Sequence, residues 1–229
     1  MNAFQLHRLK NTKVTTLILF DVDGTLSTSG GAGGKAVAVA FEEVYGKPID
    51  ISAIDFRGRT DISLWREMLS THGMSYLPDD PYLEAFKKKY IEHLRRMLLN
   101  SNPASTPGAR PLLERLEREP QVALGLLTGN IEEGGRTKIQ AVDLNRFFPV
   151  GAFGEDGEDR AEIARAAIAR SEIFYKTAFS PDQIFIVGDA EADIAAARAV
   201  GARSIAVTTG WTAKEDLLRL EPDVLIEDF

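Results

Sequence analysis

Val14-Thr15-Thr16-Leu17-Ile18-Leu19-Phe20-Asp21-Val22-Asp23-Gly24-Thr25 decides how the rest of the chain is read. The apolar run Val14 to Phe20 has the length of a buried strand, and it stops abruptly at two aspartates, a glycine and a threonine. The same format recurs twice. Gln121 to Leu127 is followed by Thr128-Gly129-Asn130, and Gln183 to Val187 by Gly188-Asp189, each leading into a helical pattern. Arg203 to Val207 and Asp223 to Ile226 add two strands, with helical stretches at Ala190 to Val200 and Ala213 to Leu220. Alternation of this kind predicts an α/β fold, a Rossmann-like parallel sheet flanked by helices on both faces. Ligands of such sheets bind beyond the carboxyl ends of the strands, so the three polar strand ends are expected to converge.

The segment between the first two strands is far longer than the dozen or so residues a crossover needs. It reads as helices at Gly33 to Tyr45, Asp61 to His72 and Pro81 to Leu99, and then a proline- and serine-containing linker, Asn100 to Gly108. A core helix, Ala109 to Glu119, follows. The expected organisation is a core of residues 1–26 and 107–229 with a helical cap, 27–106, inserted between the first two motifs.

A length of 229 residues suits a core domain with a smaller insertion. The formal charge of -7 argues against a broad footprint for nucleic acid. No cysteine is present, which removes disulfides and thiolate metal sites. Met1 to Lys13 lacks the features of a secretory signal and no stretch reaches membrane-span length, so a cytoplasmic enzyme without membrane partners is expected.

Asp21 and Asp23 lie two apart, which in extended backbone sends both side chains from one face. With Asp189 and Asp193 they would gather up to four carboxylates, and a hard divalent cation, most plausibly Mg2+, relieves their repulsion. In isolation each motif has a plainer reading. Asp-Val-Asp-Gly-Thr describes a turn, the acids near Gly188 suit a helix N-terminus, and Thr128 an N-cap. Thr128, Gly129 and Asn130 together offer a hydroxyl, close backbone approach and free N–H groups to a phosphate oxygen.

In order and spacing these motifs resemble the haloacid dehalogenase superfamily, in its phosphoglycolate phosphatase-like branch with a helical cap. The resemblance covers about Thr15 to the end. It implies a hydrolase of phosphoric monoesters, with Asp21 as nucleophile and Asp23 as the acid that protonates the leaving oxygen and later activates water. It further implies that Thr128 binds the transferring phosphoryl group. Asp21, the main-chain carbonyl of Asp23, Asp189 and Asp193 would surround magnesium, Asp193 directly or through water. The family places a lysine, less often an arginine, before the last motif. Glu155 to Asp159 has none, and Arg160 is assigned the role, with Lys138 and Lys176 as weaker substitutes. The alternative for Arg160 is pairing with neighbouring acids on a solvated face.

Phe56-Arg57-Gly58-Arg59-Thr60-Asp61 resembles the family's cap loop that faces the active site. Arg57, Arg59 and Thr60 are therefore candidate substrate contacts beside Gly129 and Asn130, with Thr60 equally readable as an N-cap. Ser29 to Gly33 reads as a hinge and helix start, and His7, His72 and His93 have no convergent partner. A small phosphorylated metabolite is the expected partner, the oligomer a monomer or homodimer. Competing readings are a β-phosphoglucomutase-like enzyme, a dehalogenase, against which Asp23 argues, and an inactive binding protein of the same fold.

Overall fold

A computed structural model describes residues 14–229; the readings of Met1 to Lys13 and His7 lie outside them. Six parallel strands form the sheet: β1 (Thr16–Phe20), β4 (Val122–Leu127), β5 (Val150–Ala152), β6 (Ile184–Gly188), β7 (Arg203–Val207) and β8 (Val224–Ile226), in the spatial order β5-β4-β1-β6-β7-β8. The chain departs from β1 toward β5 on one side and returns through β6 on the other, so the topological switch lies between β1 and β6. Register aligns the strand ends: Phe20 lies beside Leu126 and Val187, which brings Asp21, Thr128 and Asp189 to one edge.

The strands are buried on both faces, as their continuous apolar runs require. Leu17 and Leu19 of β1, with Ile184 and Ile186 of β6, pack under Ile163, Ala164 and Ala167. Phe20, Leu124 and Leu126 pack on the opposite face against Leu113 and Ile139. These contacts seat α4 (Ala109–Leu116) and α5 (Glu132–Ala141) on one side, and α6 (Arg160–Tyr175) and α7 (Glu191–Val200) on the other. A short α8 (Lys214–Arg219) closes the C-terminal crossover.

Three further helices, α1 (Ala32–Tyr45), α2 (Asp61–Thr71) and α3 (Pro81–Leu98), bury their own cluster around Phe41, Trp65, Phe86 and Tyr90. The N-terminus of α3 is set by Asp80, whose carboxylate accepts from the Tyr82 N–H, and by Pro81 in the first turn. A two-stranded antiparallel ribbon, β2 (Ser27–Thr28) with β3 (Ala104–Ser105), joins this helical layer to the sheet domain. Two elements were not expected from the sequence. The β2/β3 ribbon exists only because a dipeptide after the first motif meets one in the Asn100 to Gly108 linker, and β5 is a three-residue edge strand defined by pairing with β4.

Candidate active site

Asp21 lies one residue beyond β1, where its N–H donates to the Val187 carbonyl at 2.9 Å and ties the loop to β6. Asp21, Asp189 and Asp193 are all buried, and each offers an oxygen within 4.8 Å of the others. Burial pushes the Asp21 carboxyl up to about 6 despite the Arg160 guanidinium, with the charges of Asp193 and Asp23 adding to the rise. Asp189 is pushed up to about 8 by burial first and then by Asp21 and Asp193. Its carboxylate accepts from the Thr25 hydroxyl at 3.3 Å and the Trp211 N–H at 3.2 Å. Three desolvated acids gathered at one point, with a single guanidinium shared between two of them, fit a hard divalent cation.

Glycines make room for these acids. Gly24 sits at φ +78°, and a Cβ there would come within 2.5 Å of Asp189 Oδ2. A Cβ on Gly188 would strike the Asp193 carboxylate at 2.1 Å.

Arg160 opens α6 and runs inward, only 7% exposed. Its guanidinium donates to Asp21 Oδ1 at 2.8 Å and to Asp193 Oδ1 at 2.6 and 3.0 Å. Burial would lower its pKa, but Asp193 and Asp21 outweigh that and raise it. The solvated-face alternative for Arg160 is thus excluded. Asp193 Oδ2 accepts from the Ala190 N–H at 3.2 Å, which fixes that carboxylate at the start of α7.

Asp23 has partners of its own in the same cavity. Its Oδ2 accepts from Lys138 Nζ at 2.6 Å and from Asn130 Nδ2 at 2.8 Å. The expected gathering of up to four carboxylates is corrected to three at one point: the Asp23 carboxylate lines the same cavity but is taken up by Lys138 and Asn130. Asn130 also donates to the Thr128 hydroxyl at 2.8 Å, so the polar end of β4 is one connected unit. Lys138, considered only as a substitute for Arg160, instead serves the other aspartate. Lys176 lies exposed at the far end of α6, remote from Arg160 along the helix.

A cavity of about 600 Å³ opens over these groups, roofed by the cap loop. Arg57 and Arg59 line it, but each is paired within the cap, Arg57 with Asp55 at 2.8 Å and Arg59 with Glu67 at 2.5 Å. Thr60 takes the capping reading: its hydroxyl accepts from the Ser63 N–H at 3.0 Å at the start of α2. Asp61 stitches cap to core, its N–H donating to the Gly129 carbonyl at 2.8 Å and its carboxylate accepting from the Ile131 N–H at 2.8 Å. Desolvation raises the Asp61 carboxyl to about 6 against the pull of Lys138. Gly129 permits this seam, since a Cβ there would meet the Arg59 carbonyl at 2.2 Å. His93 pairs with Glu43 at 2.7 Å inside the cap, away from the acids.

Residues 18–207 match the model of the haloacid dehalogenase-like hydrolase family. The chain belongs to the haloacid dehalogenase-like hydrolases. It is phosphoglycolate phosphatase-like in sequence: the phosphoglycolate phosphatase of Synechococcus elongatus is 28% identical over 214 residues, covering 92% of each chain. The fold is shared with a Haemophilus somnus protein described as a predicted phosphoglycolate phosphatase, at a TM-score of 0.69 and 20% identity over 95% of this chain and 96% of that one. A candidate β-phosphoglucomutase from Thermotoga maritima superposes with a TM-score of 0.61 at 22% identity, over 93% of this chain and 94% of that one. No helix among the described residues is long and apolar enough to cross a membrane.

Proposed function

We propose that this hydrolase cleaves a small phosphomonoester of the phosphoglycolate or sugar phosphate kind through an aspartyl-phosphate on Asp21, with Mg2+ as cofactor and a soluble cytoplasmic metabolite as substrate. Residues 27–106 act as the cap over a core of 1–26 and 107–229. The observation that carries the reading is the buried trio Asp21, Asp189 and Asp193, held at the switch point of the sheet with a guanidinium on the nucleophile. Asp21, Asp189 and Asp193, with the main-chain carbonyl of Asp23, would hold the cation, which supplies charge neutralisation for the phosphoryl oxygens.

In this reading the chain's own groups perform the transfer. Arg160 neutralises charge beside Asp21, and Thr128, Gly129 and Asn130 receive phosphoryl oxygens at the start of α5. An oxygen of Asp21 forms a bond to phosphorus as the ester P–O bond breaks, and Asp23 passes its proton to the leaving oxygen. Water then attacks phosphorus, Asp23 takes its proton, and the P–O bond to Asp21 breaks to restore the carboxylate. Arg57, Arg59 and Thr60 belong to the loop that closes the cavity and excludes water; Arg57 and Arg59 face the leaving group.

A panel of phosphorylated metabolites, assayed for free phosphate with magnesium and with chelator, tests the proposal. Activity should require magnesium, and Asp21→Asn should lower it by at least roughly three orders of magnitude, as expected when an essential nucleophile is lost. Undiminished release from that variant would remove Asp21 from the role. Hexose 1-phosphate in the same panel separates hydrolysis from the mutase outcome, which returns isomerised sugar phosphate instead of phosphate.

A further inference from the structure

Two cations are buried beside the reacting aspartates, and they are divided between them. Arg160 holds Asp21, whereas Lys138, 7% exposed, holds Asp23. Lys138 Nζ also donates to Asn130 Oδ1 at 2.6 Å, so lysine, amide and carboxylate close a triangle on Asp23 Oδ2. Among the described residues, every hydrogen bond to the Asp23 carboxylate falls on that one oxygen. Burial disfavours the ammonium, but the charges of Asp23 and Asp61 outweigh it. A buried ion pair is weak evidence of stabilisation, so its value has to be sought in what it positions.

The geometry follows from the helix. Lys138 lies eight residues after Asn130, about two turns, and long helical side chains lean toward the N-terminus. Gly33 of α1 lies against its tip.

Resting on the reading of Asp23 as proton donor and acceptor, we propose that Lys138 is a positioning residue that holds Asp23 by Oδ2 in the cavity and leaves Oδ1 to exchange the proton with the ester. Oδ2 receives two N–H donors and so has no place for a hydroxyl; the acid form must carry its proton on Oδ1. As the ester P–O bond breaks, that proton moves to the leaving oxygen. The resulting carboxylate remains tethered by Lys138 and Asn130, and Oδ1 is returned to the site to take the proton of the attacking water.

Leaving-group dependence tests this. Single-turnover formation of phosphoenzyme is compared for nitrophenyl phosphate, whose leaving group needs little protonation, and for the best alkyl phosphate of the panel. In Lys138→Met the alkyl ester should lose roughly a hundredfold, the usual size of general acid catalysis, and the nitrophenyl ester no more than about threefold. Lys138→Arg, which keeps charged donors on Oδ2, should restore the alkyl ester to within about tenfold of the parent. Equal losses for both esters in Lys138→Met, or no loss in either, would overturn the proposal. Should that variant not fold, Lys138→Leu, which likewise removes the donor to Oδ2, is put through the same comparison with the same criteria. Asp23→Asn is run in parallel. A strong alkyl bias there, absent from Lys138→Met, rejects the lysine's role alone; no bias in Asp23→Asn rejects the reading of Asp23 on which it stands.

Discussion

An arginine at the first position of a helix opposes the macrodipole, which favours acids there. Arg160 is kept in that place because its side chain leaves the helix for two buried carboxylates, and its planar fork reaches both. Asp61 is the converse case, a carboxylate desolvated in the cap–core seam with one N–H to answer it. Its pKa is raised from 3.8 to about 6, so the protonated folded state is favoured. The associated stability is present below the unfolded pKa and lost as pH rises through 6. Asp61→Asn removes the charge and retains an acceptor for the Ile131 N–H. The melting temperature of Asp61→Asn relative to the parent should therefore climb between about pH 3 and about pH 7.5, a span that brackets both pKa values. A flat or falling difference would show that the ionised carboxylate is not the strained partner.

At the scale of elements, the strands were legible because their apolar runs and polar ends have no other reading as a set. Val14 to Phe20 with its two aspartates, the Thr128-Gly129-Asn130 end of β4 and Asp189 after β6 are local signals, and register alone was needed to bring them together. Lys138 was not legible. A lysine in the last turn of a ten-residue helix has the ordinary look of a dipole partner, and only the packing of α5 on the sheet aims it at Asp23. The partners of Asp23 were hidden for the same reason, since Lys138 reaches it only through that packing. The cap loop was recognised by its residues, but its hold on the core is the Asp61 carboxylate on the Ile131 N–H together with backbone contact at Gly129, where any side chain would collide with the Arg59 carbonyl. Gly129→Ala should cost about 1–3 kcal/mol by overpacking and hinder closure. The expected kinetic result is a loss in kcat/KM with the sheet domain still folded, read by steady-state assay beside circular dichroism; unchanged kcat/KM would mean the seam does not need that approach.

Taken as a whole, the molecule spends folding energy to hold like charges together, because the acids at the ends of β1 and β6 meet only when the sheet is complete. An unfolded chain has no such cluster, so a cation bound to it stabilises the native state alone. At a hundred times its dissociation constant it would contribute about 2.7 kcal/mol. For a chain of this size that corresponds to a melting shift of about 5–10 °C. Asp189 decides the sign of a sharper test, because burial beside Asp21 and Asp193 raises its carboxyl to about 8 and makes the ionised form costly. Above about pH 8, where Asp189 is ionised, replacing it with asparagine relieves that repulsion and keeps an acceptor for the Trp211 N–H, while removing a proposed ligand. In chelator, Asp189→Asn should melt at or above the parent; with magnesium the order should reverse, because the parent gains the full shift and the variant little of it. The crossing of the two melting curves is the measurement. If magnesium moved parent and variant equally, the cation would be binding somewhere other than the carboxylate trio.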